Sequence, residues 1–452
     1  MNLSIKYFTA CLLLFIGFGA GAQHTDYKLI SGEYYDWKKT MKPEKPWRRD
    51  YSQTVVMKLM LCTRDSVGGV KQVYLRFEDV LGQVKKLDRI TIGIPKIIYL
   101  VGWQAAGHDS KYPSFTIVND SLKRKQDRTA LESLHWLIKE ARKYNTTVSL
   151  HINLIDAFKD SPLWQVYDEN NIIIKDKNGQ PVPGEVFDGM QSYQIDYAQE
   201  WKTGYTVKRI DSLLSMLPEL KEGGTIHVDA FHTIQPVRSK EIKDSIANPF
   251  LGTTLQEEAA TQRKIFRYWR AHNIDVTSEG GMYWLRIDPF IGLQPMAWWY
   301  NAEEFEKSNW LGKPKDFKSL PANLYTGTPM HAEQEVKTDP ENLSGLIKEF
   351  CTSVVPWYYA NNTAVKKDKQ IWELTGSNIF LPALWKANTI VAYSENGYSN
   401  RKWKLPSEWN SFKKVTATRL SVKKTVGRTV IPIVDGTITL KLEPGQAVII
   451  QP

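Results

Sequence analysis

Two acidic residues close short apolar runs. Asp229 ends Gly224-Thr225-Ile226-His227-Val228, and Glu279 ends Asn273-Ile274-Asp275-Val276-Thr277-Ser278. A pair of carboxyl groups in one cleft is what hydrolysis of a glycosidic bond requires: in the retaining form one attacks the anomeric carbon and the other protonates the leaving oxygen. The acid holds its proton near neutral pH when it is buried or sits beside a second negative charge. Asp229 would supply that charge to Glu279. The structural alternative for each is a strand-end carboxylate that caps a helix or makes a salt bridge.

Other chemistries find less support. His227 and His232 flank Asp229, and His108 precedes Asp109, so imidazole and carboxylate ligands for zinc are present. No H-E-x-x-H segment or cysteine cluster accompanies them, and the reading is of no metal and no cofactor. No G-x-S-x-G elbow supports a serine nucleophile. No G-x-G-x-x-G turn or P-loop follows any apolar run, which argues against a nucleotide-binding sheet.

The elements that must position the acids alternate along the chain. Apolar runs at 54–62, 96–102, 147–153, 224–229 and 273–279 read as strands, the near-continuous run at 96–102 as one buried on both faces, and 295–300 is a further candidate. Helical spacing marks 70–88, 131–145, 198–216 and a segment from Asp339-Pro340 to about residue 352. Thr254 with Glu257 is a capping box opening a helix that runs to about His272. Strand alternating with helix predicts a parallel α/β fold, and a (β/α)₈ TIM-type barrel is favoured, with functional side chains at the strand C-termini. Those ends offer Trp103, Gln104, His108 and Asp109; then His151, Asn153 and Asp156; then Asp229; then Glu279; then Trp298, Trp299 and Tyr300. Trp103 and Trp299 are the candidates to stack on an apolar sugar face. From about 385 the texture changes to short strands around the hairpin signal Asp435-Gly436, predicting a C-terminal antiparallel β domain. The expected organisation is a signal peptide over 1–22, an N-terminal segment over 23–90, the barrel over 91–380 and a β-sandwich-like domain over 381–452.

Composition bounds the rest. Of 452 residues, 42% are hydrophobic and 24% charged, which excludes a disordered or fibrous chain. The net charge of +10 is spread along the sequence, densest at Lys38, Lys39, Lys42, Lys45, Arg48 and Arg49, with no nucleic-acid motif beside it. It reads as a solvated surface, and no nucleic-acid partner is expected. Lys6, the apolar run 10–18 and Ala20-Gly21-Ala22 have the form of an export signal with cleavage before Gln23, so the protein is expected outside the cytoplasm with no transmembrane segment. Cys62 and Cys351 read as buried free thiols.

Several of these segments, taken in order, are similar to one known family. Gly102-Trp103-Gln104 with Gly107-His108-Asp109-Ser110 resembles the first-strand signature of the endo-α-N-acetylgalactosaminidases, glycoside hydrolase family 101. His151-Ile152-Asn153 with Asp156 resembles its His-Val-Asn strand, and Val228-Asp229-Ala230-Phe231 its Val-Asp-x-Trp strand. Thr277-Ser278-Glu279-Gly280 resembles Thr-Thr-Glu-Trp-Gly, and Trp299-Tyr300-Asn301 with Phe305-Glu306 echoes a later segment.

The resemblance implies a (β/α)₈ barrel and a retaining reaction that releases Galβ1-3GalNAc from Ser or Thr of mucin-type glycoproteins. Asp229 would be the nucleophile and Glu279 the acid/base. His108, Asp109, His151 and Asn153 would bind sugar hydroxyls, with Trp103, Gln104 and Trp299 lining the site. Phe231 stands where the family has Trp, and the Trp after the acid/base Glu is absent. Two alternatives stay open: an exo-acting α-galactosidase or α-N-acetylgalactosaminidase-like enzyme, and a non-catalytic exported glycan-binding protein.

Overall fold

The computed structural model describes residues 27–28, 34–35, 45–51, 54–231, 246–278, 329–361, 373–375, 377–423 and 426–452. Its centre is a six-stranded parallel sheet. The strands are β1 (Val55–Met60), β2 (Lys96–Val101), β3 (Thr146–Ile152), β4 (Thr225–Val228), β5 (Asp275–Ser278) and β6 (Pro329–Met330). Their spatial order is β5-β4-β3-β2-β1-β6, so the last strand in sequence pairs with the first. Sequence and structure agree on β1 to β5 within one or two residues. The candidate strand 295–300 lies outside the described residues.

Period-two alternation sorts each strand into two faces. Val55, Met57 and Leu59 of β1, Ile98 and Leu100 of β2, Val148, Leu150 and Ile152 of β3, and Ile226 and Val228 of β4 join the main apolar core. The opposite face carries Lys58, Tyr99, Ser149, His151, Thr225, His227, Asp275 and Thr277, all buried as well. Several of its polar groups pair with one another. Thr225 Oγ1 meets the Tyr51 hydroxyl at 3.0 Å and the Tyr99 hydroxyl at 2.5 Å. Ser149 Oγ donates to the Thr225 carbonyl, and His227 Nδ1 lies 3.0 Å from Thr277 Oγ1.

Helices cover the apolar face. α1 (Phe77–Ile90) buries Phe77, Val80, Leu81, Val84, Leu87 and Ile90, one stripe at helical spacing. The sequence reading started this helix at 70. Instead Val70–Val73 is a strand hairpinned onto Cys62–Arg64, and the helix begins after the Arg76 N–H is capped by Asp79 Oδ2. α2 (Ala130–Ala141) is capped by Thr129, whose hydroxyl accepts from Glu132 N–H. The expected helix 198–216 is two, α3 (Tyr197–Lys202) and α4 (Tyr205–Met216), because Gly204 takes φ +78° between them. α5 (Leu255–Ala271) has the anticipated capping box of Thr254 and Glu257.

The N-terminal ends of the strands are closed by residues 45–51. Asp275, the first residue of β5, accepts backbone N–H bonds from Arg48 and Arg49 and pairs with Arg270. Arg49 Nε also donates to the Gly223 carbonyl. This leaves the opposite ends of the strands for function.

A buried carboxyl pair braces the loops on that functional side. Asp196 caps α3 by accepting from Gln199 N–H and also accepts from Asn248 Nδ2 and Thr253 Oγ1. Glu258 of α5 accepts from the N–H groups of Tyr197 and Ala198. Burial, and then the Asp196 carboxylate beside it, pushes the Glu258 carboxyl well above its ordinary range. A raised folded-state pKa means stability is fullest below the unfolded value and declines as pH rises toward the folded one. Glu258→Gln keeps a donor toward Asp196 without a titrating proton. Thermal unfolding at about pH 8 and about pH 4.5 should therefore show the wild type losing Tm with rising pH and the variant losing much less. Parallel pH slopes would remove Glu258 from the account.

The C-terminal strands form the expected antiparallel domain. Its main sheet runs in the order 373–375, 378–382, 390–394, 446–451, 414–419, 428–432, and Tyr398–Lys404 pairs with Thr437–Leu442 in a second layer. Asp435 and Gly436 both take positive φ in the turn before Thr437, as the hairpin signal requires. Phe380, Ile390, Ala392, Val448 and Ile450 face the second layer, where Phe380 stacks on Trp403. The alternate residues Ile379, Leu381, Val391, Tyr393 and Ala447 belong to the core of the α/β domain. Cys62 and Cys351 are both free and buried.

Candidate active site

The loop after β2 is moulded onto the end of β1. The Cys62 carbonyl accepts the His108 N–H at 2.9 Å, and Thr63 bridges to His108. Gly102 (φ +74°) and Gly107 (φ +124°) pass so close to Cys62 that a side chain at either would meet its carbonyl group. Asp109 is left-handed at φ +55°, a cost that the packing around it sustains. The Gln104 amide donates to the Ser110 carbonyl, and Ser110 Oγ accepts from the Ala106 N–H. The loop thus holds His108 and Asp109 at the mouth with Nδ1 and Oδ2 3.4 Å apart.

β3 and β4 bring the next groups. His227 pairs in register with His151, and Asp229 N–H continues the ladder to the Ile152 carbonyl. The chain turns at once, with Ala230 at φ +46°, which leaves the Asp229 side chain 21% exposed at the rim. His151 Nε2 lies 3.8 Å from Asp229 Oδ1. Its ring packs between those of His108, at 5.6 Å, and His227, at 5.1 Å. Burial holds His151 well below the ordinary imidazole range, with Lys58, His227 and His108 pushing the same way. A neutral ring therefore lies beside the Asp229 carboxyl group.

The structure brings together Asp229, His151, His108 and Asp109, and separates three other expected ligands from any sugar. Trp103 is fully buried, and its Nε1 donates to the His151 carbonyl at 2.9 Å. It supports β3 from behind instead of offering a stacking face. Gln104 is buried, and its amide nitrogen is turned to its own loop. Asn153 is buried too: its oxygen accepts from the N–H groups of Ile155 and Asp156, and its nitrogen donates to Asp156 Oδ2. That is an Asx turn, not a hydroxyl-binding amide. Glu279, His232 and Trp299 lie outside the described residues. Glu279 directly follows Ser278, which pairs in register with Val228, the residue before Asp229.

If Trp103 acts through packing, Trp103→Phe removes one buried hydrogen bond and some volume. Stability should fall by about 1–3 kcal/mol, read as a lower denaturation midpoint. KM for a glycoside should barely move. A raised KM at unchanged stability would return Trp103 to the substrate.

Three groups at this end escaped the sequence reading. Lys58, a charge inside an otherwise apolar strand, pairs with Glu333 at 3.6 Å. Its isolation in that strand was a usable signal. Glu333 follows β6, which has only two residues and gives no periodicity. Tyr112 is buried, and burial first, then the carboxylates of Asp109, Asp229 and Asp156, holds its phenol in the protonated form. No alternation pattern marks it.

This geometry can be set beside known proteins. The family model described as endo-alpha-N-acetylgalactosaminidase matches residues 61–281, the stretch from the end of β1 to just past β5. The chain is a distant relative of that glycoside hydrolase family. Among solved structures, the alpha-N-acetylgalactosaminidase of Bifidobacterium bifidum in its GalNAc complex is 14% identical with a TM-score of 0.39, covering 56% of this chain and 37% of that one. The alpha-amylase of Geobacillus thermoleovorans, complexed with acarbose, is 11% identical with a TM-score of 0.47, covering 89% of this chain and 99% of that one. The chain thus spans a little over a third of the length of the bacterial alpha-N-acetylgalactosaminidase. No curated protein matches it. Among the described residues no helix is long and apolar enough to cross a membrane.

Proposed function

We propose that this protein is an exported retaining glycosidase acting on α-linked N-acetylgalactosamine, with Asp229 as nucleophile and Glu279 as acid/base. The observation that carries the reading is the Asp229 carboxylate at the C-terminal end of its strand, partly exposed and 3.8 Å from a buried neutral imidazole. The family match over the same stretch supports it. The parallel sheet closes into a (β/α)₈ barrel in this reading: the first and last strands already pair, and the polar face is buried although the helices cover the other one.

Asp229 attacks the anomeric carbon and forms a β-linked glycosyl-enzyme while Glu279 gives its proton to the departing oxygen. Glu279 then takes a proton from water, which releases the sugar in the α configuration. His108 and Asp109 bind sugar hydroxyls at the rim, and His151 stands beside the nucleophile as a neutral imidazole 3.8 Å away. The substrate is a glycan of mucin type, carried on Ser or Thr. The signal-like residues 1–22 fit delivery to the compartment where such glycans occur.

Hydrolysis of two aryl α-glycosides, one of GalNAc and one of Galβ1-3GalNAc, tests the reading. Release from the disaccharide alone is the expected result and places two sugars in the site. Release from the monosaccharide makes the enzyme exo-acting. Sugar binding without hydrolysis of either overturns the catalytic assignment.

A further inference from the structure

The groups beside Asp229 form a second kind of site. His108, His151 and Asp229 each offer one ligand atom, and these atoms lie within 4.8 Å of one another. Two imidazoles and one carboxylate are a donor set for borderline divalent ions such as Zn²⁺. It is too rich in nitrogen for Ca²⁺ or Mg²⁺, which prefer oxygen. A second observation points the same way. Asp109 Oδ2 stands 3.4 Å from His108 Nδ1, which places a second carboxyl group beside that ring and leaves Nε2 on its other side. His151 is 2% exposed, and the ring nitrogen it turns toward Asp229 is Nε2, so a buried imidazole nitrogen faces the same point as the carboxylate.

We propose that His108, His151 and Asp229 bind one Zn²⁺ ion. The strand fixes His151, while His108 and Asp229, 25% and 21% exposed, have room to close on the ion. Metal–ligand bonds of about 2.0–2.2 Å put donor atoms roughly 3.5 Å apart, close to the 3.8 Å already present between His151 and Asp229. Three protein ligands leave a fourth position open to solvent. The ion takes the carboxylate assigned to nucleophilic attack, so Zn²⁺ and glycoside compete. That consequence rests on the glycosidase reading, whereas the binding itself does not.

Calorimetric titration of the metal-stripped full chain with Zn²⁺ alone tests the site. One equivalent should bind, and His108→Ala should weaken it at least about 10-fold. His135→Ala, a surface histidine paired with Glu219, should leave binding unchanged. Absence of binding, or equal affinity in His108→Ala, overturns the proposal whether or not the protein hydrolyses glycosides. Binding that requires His108 in a protein inactive on every glycoside supports the zinc site and overturns the glycosidase reading alone. In an active protein, Zn²⁺ should inhibit, chelator should restore the rate, and Mg²⁺ should have no effect. Acceleration by Zn²⁺ would overturn the competition.

Discussion

Asp229→Asn should lower turnover of an aryl α-glycoside by on the order of 10⁴-fold or more while the protein stays folded. The amide keeps the size and much of the hydrogen-bonding capacity of the carboxylate but cannot act as the nucleophile. The substitution leaves the backbone N–H of residue 229 on the Ile152 carbonyl untouched, and the side chain it alters stands partly in solvent. Circular dichroism and the denaturation midpoint should match the wild type within about 1 kcal/mol. Asp229→Ala adds a sharper readout. With room opened beside the anomeric carbon, azide should attack from the β face as the aglycone departs and give a β-glycosyl azide. Product of that configuration identifies Asp229 as the nucleophile. Wild-type rates in Asp229→Asn would remove it from the chemistry.

Gly102→Ala should be the most damaging small substitution near the site. A methyl group there would overlap the Cys62 carbonyl oxygen and sit 2.9 Å from the His108 backbone nitrogen, in a residue at φ +74°. Neither neighbour is a flexible side-chain end, so the loop itself must shift. Backbone strain and overpacking together should cost about 2–5 kcal/mol, measured as a fall in the denaturation midpoint. Because the His108 N–H bond to Cys62 breaks in the same movement, kcat/KM should fall even in protein that remains folded. Gly82→Ala on α1, where a methyl group meets nothing within 4 Å, is the matched control and should be neutral or slightly stabilising. Equal stability in the two variants would show that the loop does not depend on this contact.

The parallel sheet was legible because strands buried on both faces write themselves as unbroken apolar runs. The capping box at Thr254 and the hairpin at Asp435-Gly436 were legible because each is a local arrangement that few alternatives share. What failed was direction. Trp103 and Asn153 lie beside the expected cleft, yet one turns into the core and the other folds back on its own turn. Spacing along the chain does not encode that choice when tertiary contacts decide it. The helix read from 70 shows the same limit: Val70–Val73 pairs with Cys62–Arg64, and a distant partner overrode local periodicity. The antiparallel excursion of 156–158, 183–187 and 190–194 was missed for a related reason, since short strands with mixed polarity resemble loop. Lys58 and Glu333 met only because the last strand returns to the first.

The C-terminal sheet carries a further consequence. Its residues 379, 381, 391, 393 and 447 are part of the wall of the α/β domain, and Trp385 packs on Phe350 and Tyr358 while its indole N–H reaches the Ile92 carbonyl. A sheet used on both sides is not a detachable module. Trimming the gene before residue 373 would strip one flank of the α/β half bare, and the two halves should melt in a single transition. The loops at the mouth lie away from this seam, but the α/β domain and its C-terminal sheet share one wall and stand or fall as one piece.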